Sequence, residues 1–175
     1  MSASHETPLG AVLKGAVAGI VGTLAMDLVW YSRYRKSGGD QSFAEWDLAS
    51  GIEDYSSASA PAQVGKRLVE GFFDLKLDPK TAAPMTNIVH WATGSGYGIA
   101  HGIVHGSMAK PTALGGLLTG AGAWAMAYAT LAPAGLYQPM WEYDAKTLWK
   151  DLSAHLVFGL ATGLTFKLLF SGEDD

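Results

Sequence analysis

Asp27, His90 and His155 are the side chains best placed to do chemistry, because each stands in a stretch otherwise free of Asp, Glu, Lys and Arg. An ionisable group among apolar neighbours must find a partner or give up its charge. A carboxylate facing two imidazoles can hold helices together by hydrogen bonds or pass a proton near neutral pH. It can also form a two-histidine, one-carboxylate set for a divalent metal, and the two histidines alone could grip a haem between helices. Asp151 precedes His155 by one helical turn and shares its face. We expect Asp27, His90, His155 and Asp151 to form one buried polar cluster. Farther along the second apolar stretch, His101 and His105 have the His-x-x-x-His spacing that two ligands of one metal can use, on a face shared with Tyr97. The alternative for that pair is two polar side chains near a helix end. Nothing in the sequence demands a cofactor; haem or a divalent metal are the ones these residues could take.

Other chemistry lacks its residues. With no cysteine there is no disulfide, thiolate metal site or thiol nucleophile. The sequence contains no Gly-x-x-x-x-Gly-Lys-Ser/Thr loop, Gly-x-Ser-x-Gly elbow or His-Glu-x-x-His motif, so phosphate cradling, serine hydrolase and zincin readings lack their residues and a non-enzymatic role is the expectation. Gly94-Ser95-Gly96-Tyr97-Gly98 sits inside an apolar stretch with no strand before it, so it is not a nucleotide loop. A net charge of −4 with scattered basic residues gives no basic face for nucleic acid.

The elements that must position these side chains follow from where charge is missing. Charged residues are 16% of the chain, against about 25% in an ordinary soluble domain. None occurs in 15–26, 28–32, 81–109, 111–141 or 152–166. Mean hydropathy is only +0.14, because glycine, alanine and threonine fill these stretches more than leucine does. Such helices must pack against protein as well as lipid. We expect one membrane domain over 1–175: a four-transmembrane-helix bundle, all-α, with spans near 9–31, 86–106, 113–133 and 152–170. The start of the chain lacks the basic region and cleavage site of a signal peptide, so the first helix is read as retained.

The segment 33–84 is polar but not low-complexity. Ser42-Phe43-Ala44-Glu45 has the form of a capping box and predicts a short helix through Trp46 and Leu48. From Ala62 to Lys76, Val64, Leu68 and Phe72 recur every four residues and predict an amphipathic helix. It either lies on the membrane surface or covers the loop's own small core.

Four crossings leave Lys14, Lys110 and Lys167 on the side of the termini. Arg33, Arg35, Lys36, Lys66, Arg67, Lys76, Lys80, Lys146 and Lys150 fall on the other, which places the 33–84 and 134–150 loops in the cytoplasm and both termini outside it. Trp30, Tyr31, Tyr137, Trp141, Tyr143 and Trp149 gather at that same boundary, as interfacial aromatics do.

Glycines recur every four residues on each span: Gly15 and Gly19; Gly94, Gly98, Gly102 and Gly106; Gly116 and Gly120; Gly159 and Gly163. In lipid, close backbone approach over small residues is a main source of helix association, so these rows are expected to be packing seams. The polar residues continue the same rows. The second and fourth spans share His-x-x-x-Gly-x-x-x-Gly, a pattern that an old duplication would leave.

The chain resembles the YagU-like family of small bacterial inner-membrane proteins. The resemblance rests on Gly19-Ile20-Val21-Gly22-Thr23 with Met26-Asp27, on His90 with Gly94 and Gly98, and on Gly116, Gly120 and Trp124. It continues through Pro133, Gly135 and Pro139 to His155-Leu156-Val157-Phe158-Gly159, and covers most of the chain outside 33–84. It implies a four-helix inner-membrane protein of unassigned activity, with one member linked to acid tolerance. Three readings follow: support of proton or ion homeostasis through the polar cluster, a structural or lipid-binding subunit of a membrane complex or homo-oligomer, and a haem- or metal-binding redox protein. The lipid bilayer is the partner common to all three.

Overall fold

The computed structural model describes residues 7–108 and 112–171, so Lys110, counted above on the side of the termini, lies outside the described residues. The described residues form helices and turns and contain no strand.

Thr7 starts α1 (Pro8–Lys36): its hydroxyl accepts the Gly10 amide at 3.0 Å, and Pro8 follows where no amide donor is needed. The helix runs past the expected end at Tyr31, since Arg33, Arg35 and Lys36 suit the negative end of its dipole. Gly38, at φ +96°, then turns the chain in a conformation that side-chain-bearing residues rarely adopt. The capping box holds α2 (Phe43–Asp47), with the Ser42 amide donating to Glu45 Oε2 at 2.8 Å. The amphipathic helix is α3 (Ala60–Phe73). It covers a small loop core of Tyr55, Ala62 and Ala82, while Leu68, Phe72 and Phe73 stay exposed.

A 3-10 turn at Pro79–Thr81 leads into α4 (Ala82–Gly106), and Thr112 caps α5 (Ala113–Leu131) by accepting the Gly115 amide at 3.2 Å. The last helix, α6 (Ala145–Ser171), starts well before residue 152, the expected beginning. Asp144 explains this: its carboxylate accepts the Thr147 amide at 3.0 Å and the Thr147 hydroxyl at 2.7 Å.

The four long helices do not pack in chain order. α1 lies between α4 and α6, α5 packs on α6, and the successive pair α4 and α5 touches only lightly. Residues between the helices are small or polar: Ala18, Thr23, Asp27, Thr162 and Ala154 are buried, with Phe166 the largest fully buried side chain. The outward faces are the apolar ones, with Leu9 68%, Leu118 66% and Leu168 75% exposed. A water-soluble domain would place these the other way round. α1 and the Ala145–Phe170 part of α6 are long and apolar enough to cross a membrane.

Candidate functional site

The row Gly15, Gly19, Thr23, Asp27 on α1 runs antiparallel against Gly102, Gly98, Gly94, His90 on α4. A Cβ added at Gly15 would stand 2.5 Å from the Gly98 carbonyl oxygen, and one at Gly19 would stand 2.5 Å from that of Gly94. At Gly98 and Gly102 an added Cβ would strike the backbone of Gly15 and Ala11. The Thr23 hydroxyl fits over Gly94 and satisfies itself by donating to the Gly19 carbonyl at 2.8 Å. It therefore makes no claim on the carboxylate one turn further on.

That register brings Asp27 and His90 together. Nε2 of His90 lies 3.0 Å from Oδ1 and 3.1 Å from Oδ2 of Asp27, whose side chain is 6% exposed against 28% for His90. A third group joins them from the loop. Tyr31 packs on Phe43 and Trp46 with ring centroids 5.3 and 5.7 Å apart, and its hydroxyl donates to the Gln41 carbonyl at 3.0 Å. This fastens α2 to the end of α1 and turns Asp47 toward the pair. Burial raises the Asp47 pKa above its ordinary value, the Asp27 charge raises it further, and His90 offsets part of that. Protonated Asp47 can donate to the Asp27 carboxylate; ionised, it repels it.

His155 stands elsewhere. Its row, with Gly159 and Gly163, faces α5: an added Cβ at Gly159 would lie 2.5 Å from the Gly120 amide nitrogen, and one at Gly163 would lie 2.8 Å from Gly116 Cα. The face of α6 that meets α1 is instead that of Phe158 and Thr162, which lie against Gly22. His155 turns back on its own helix, with Nδ1 donating to the Asp151 carbonyl at 3.0 Å and lying 3.4 Å from Oδ1. The single expected cluster thus resolves into two pairs on different helix interfaces. Helical period places His155 on a regular row but does not encode which neighbour that row meets. Among the described residues no three acidic or histidine side chains converge to hold a metal, so Asp27, His90 and His155 do not form the two-histidine, one-carboxylate set. Nor do His90 and His155 face each other as a haem pair would.

The Asp151 end opens on an aromatic cleft of about 390 Å³, lined by Trp30, Tyr128, Tyr137, Tyr143 and Lys150. Tyr128 stacks edge-on against Tyr137 and Tyr143 at 5.3 and 5.5 Å and turns its hydroxyl to the Asp151 carboxylate. Burial, with the Asp151 charge behind it, holds the Tyr137 phenol neutral by pushing its pKa up to about 12.

At the other end of α4, His101 and His105 stack with ring centroids 4.2 Å apart. The Thr119 hydroxyl donates to the Gly115 carbonyl at 3.0 Å, so it accepts from Nδ1–H of His101 at 2.8 Å, which leaves Nε2 as the lone-pair nitrogen. Among the described residues, Nε2 of His101 and Nδ1 of His105 are buried without a hydrogen-bond partner. They are two donors with no third ligand beside them, and they pack against Phe166 and Gly115.

The position of Asp47, the packing role of Gly22 and the Tyr128 cleft do not follow from the sequence reading above. Gly22 was within reach: it lies one turn from Ala18 on α1, a second row of small residues. Asp47 was not, since its position depends on the turn at Gly38. Comparison of the chain with protein-family models, curated proteins and solved structures finds no match.

Proposed function

We propose that this chain is a four-span protein of the bacterial inner membrane, of the YagU-like kind its sequence resembles. In this reading Asp27 and His90 take up and release a proton near the cytoplasmic end, supporting proton or ion homeostasis under acid. The observation that carries it is the Asp27 carboxylate, 6% exposed in a helix seam and bridged through both oxygens by one imidazole. Placing such a group between apolar spans costs on the order of 2.5–3.5 kcal/mol, and a merely structural seam needs none, since the glycine rows below it already close. The apolar outward faces of α4 and α5, with Ile88, Ile103, Leu114 and Leu118 exposed, support counting these helices as spans too. The basic loops favour a cytoplasmic 33–84 segment and termini on the opposite side.

The test is proton flux in vesicles reconstituted with the purified protein and loaded with a pH-sensitive dye. A pH jump should relax faster than in empty vesicles, and Asp27→Asn should abolish the difference while melting with the bundle intact. Equal relaxation with and without protein would sink the reading. Reporter fusions after Asp175 test the topology: a cytoplasmic C-terminus would contradict it.

A second reading, a structural or lipid-binding subunit of a larger complex or homo-oligomer, is favoured by the backbone-to-backbone seams, which serve packing without any chemistry.

A further inference from the structure

The cleft beside Asp151 is not used by proton handling at Asp27. Its floor is a carboxylate only 16% exposed, and the groups against it are the Tyr128 hydroxyl and His155. His155 directs Nδ1–H to the Asp151 carbonyl at 3.0 Å and lies 3.4 Å from Oδ1, so it meets the carboxylate from its own helix and leaves the side toward the cleft to other groups. Among the described residues no lysine or arginine side chain pairs with Asp151. Lys150 lines the same cleft but is exposed, and Arg33 is engaged nearby, donating to the Lys150 carbonyl at 2.6 Å and to Ser153 Oγ at 2.8 Å. The walls are the rings of Trp30, Tyr137 and Tyr143. Aromatic faces attract a cation through their quadrupole, and Arg33 already sits 4.8 Å over the Trp30 ring.

A half-buried anion, aromatic walls and a basic rim complement a ligand that is positive at one end and negative at the other. We propose that this cleft binds an organic ammonium group, seated against Tyr137 and Tyr143 with Asp151 as counter-charge, and that Lys150 takes the phosphate when the ligand is a zwitterionic phosphoamine. Trp30, Tyr137 and Tyr143 belong to the aromatic set expected at headgroup depth, so a phospholipid amine headgroup and a free soluble phosphoamine are the two sources of this chemistry. The ammonium site rests on the cleft alone, and only the lipid source rests on the membrane reading.

Calorimetric titration of the full chain in nonionic detergent with tetramethylammonium chloride and with O-phosphoethanolamine tests the site, with sodium chloride as control. Both should bind saturably, phosphoethanolamine more tightly. Asp151→Asn should weaken both at least tenfold, and Tyr143→Leu, outside the long helices, roughly tenfold. Lys150→Ala should weaken phosphoethanolamine only. Vesicles of equal phosphatidylethanolamine and phosphatidylglycerol then identify the source by native mass spectrometry. Retention of phosphatidylethanolamine by the parent but not by Asp151→Asn supports a headgroup, whereas soluble binding without lipid enrichment supports a free amine. No saturable binding of either ammonium compound overturns the proposal, as does binding unchanged in Tyr143→Leu, which decides the matter should Asp151→Asn fail to fold. None of these outcomes depends on whether Asp27 moves protons.

Discussion

At the α1–α4 seam a carboxylate on one helix meets an imidazole on the other, whereas at the α5–α6 seam the carboxylate and imidazole share a single helix. Both seams are built from His-x-x-x-Gly-x-x-x-Gly on one partner and small residues on the other. The difference lies in where the acid stands. Asp27 can reach His90 only when the two helices are in register, so the pair reports on the seam and is sealed by α2. Asp151 reaches His155 within one turn of helix whatever α5 does, and its other side is left to the cleft. One motif therefore yields an acid–imidazole pair between two helices and another within a single helix beside an aromatic cleft.

The largest effect should come from breaking either seam. Gly98→Leu or Gly159→Leu drives a side chain into the backbone of the facing helix, where neither side can give way, and should cost at least about 3 kcal/mol by thermal melting in detergent. Gly96→Leu and Gly122→Leu face open space and should be neutral or gain up to about 1 kcal/mol from helix propensity. Similar losses in all four would mean that the rows are not seams.

Removing the two acids sharpens the contrast. Asp27→Ala should cost about 2–3 kcal/mol, because a charged hydrogen bond between helices is lost and an imidazole is left without its partner. Asp151→Ala should cost about 1 kcal/mol or less, as expected for a local pair on one helix. The reverse order of melting temperatures would contradict the two-site description.

A smaller effect concerns α2. The folded pKa of Asp47 is raised, so its contribution to docking is fully present below the ordinary carboxylate value of 3.8 and is lost as pH rises through the raised value. Acidification should tighten α2 against α1, seen as protection of the 37–50 segment from protease, and Asp47→Asn should make that protection independent of pH. Ser42→Ala removes the capping box of this short exposed helix and should cost roughly 0.5 kcal/mol, loosening α2 without touching either seam.

Much of this was legible in the sequence. The glycine rows and the continuation of one of them to Asp27 follow from helical period alone, and Ser42 and Glu45 announced α2. What periodicity does not encode is which neighbour a face meets. His155 sits on a row as regular as that of His90, yet its row meets α5, while α1 is met by Phe158 and Thr162. The aromatic cleft was hidden for a related reason: Trp30, Tyr128 and Tyr143 come from separate parts of the chain and converge only when α6 lies between α1 and α5. The helices run past the charge-free stretches at Arg33 and Asp144, because a basic last turn suits the dipole and a side-chain cap starts the helix earlier.

The most direct test of the central claim is nitrogen NMR of the protein labelled at histidine and held in lipid bilayers, recorded from about pH 5 to 8, the range in which imidazoles serve as switches. If the pair exchanges a proton, Asp27→Asn should displace the His90 ring-nitrogen signals and their response to pH while leaving the His155 signals in place. A His90 signal that keeps one state throughout, or a transition that ignores Asp27→Asn, would show that the pair is a structural clasp and not a proton site.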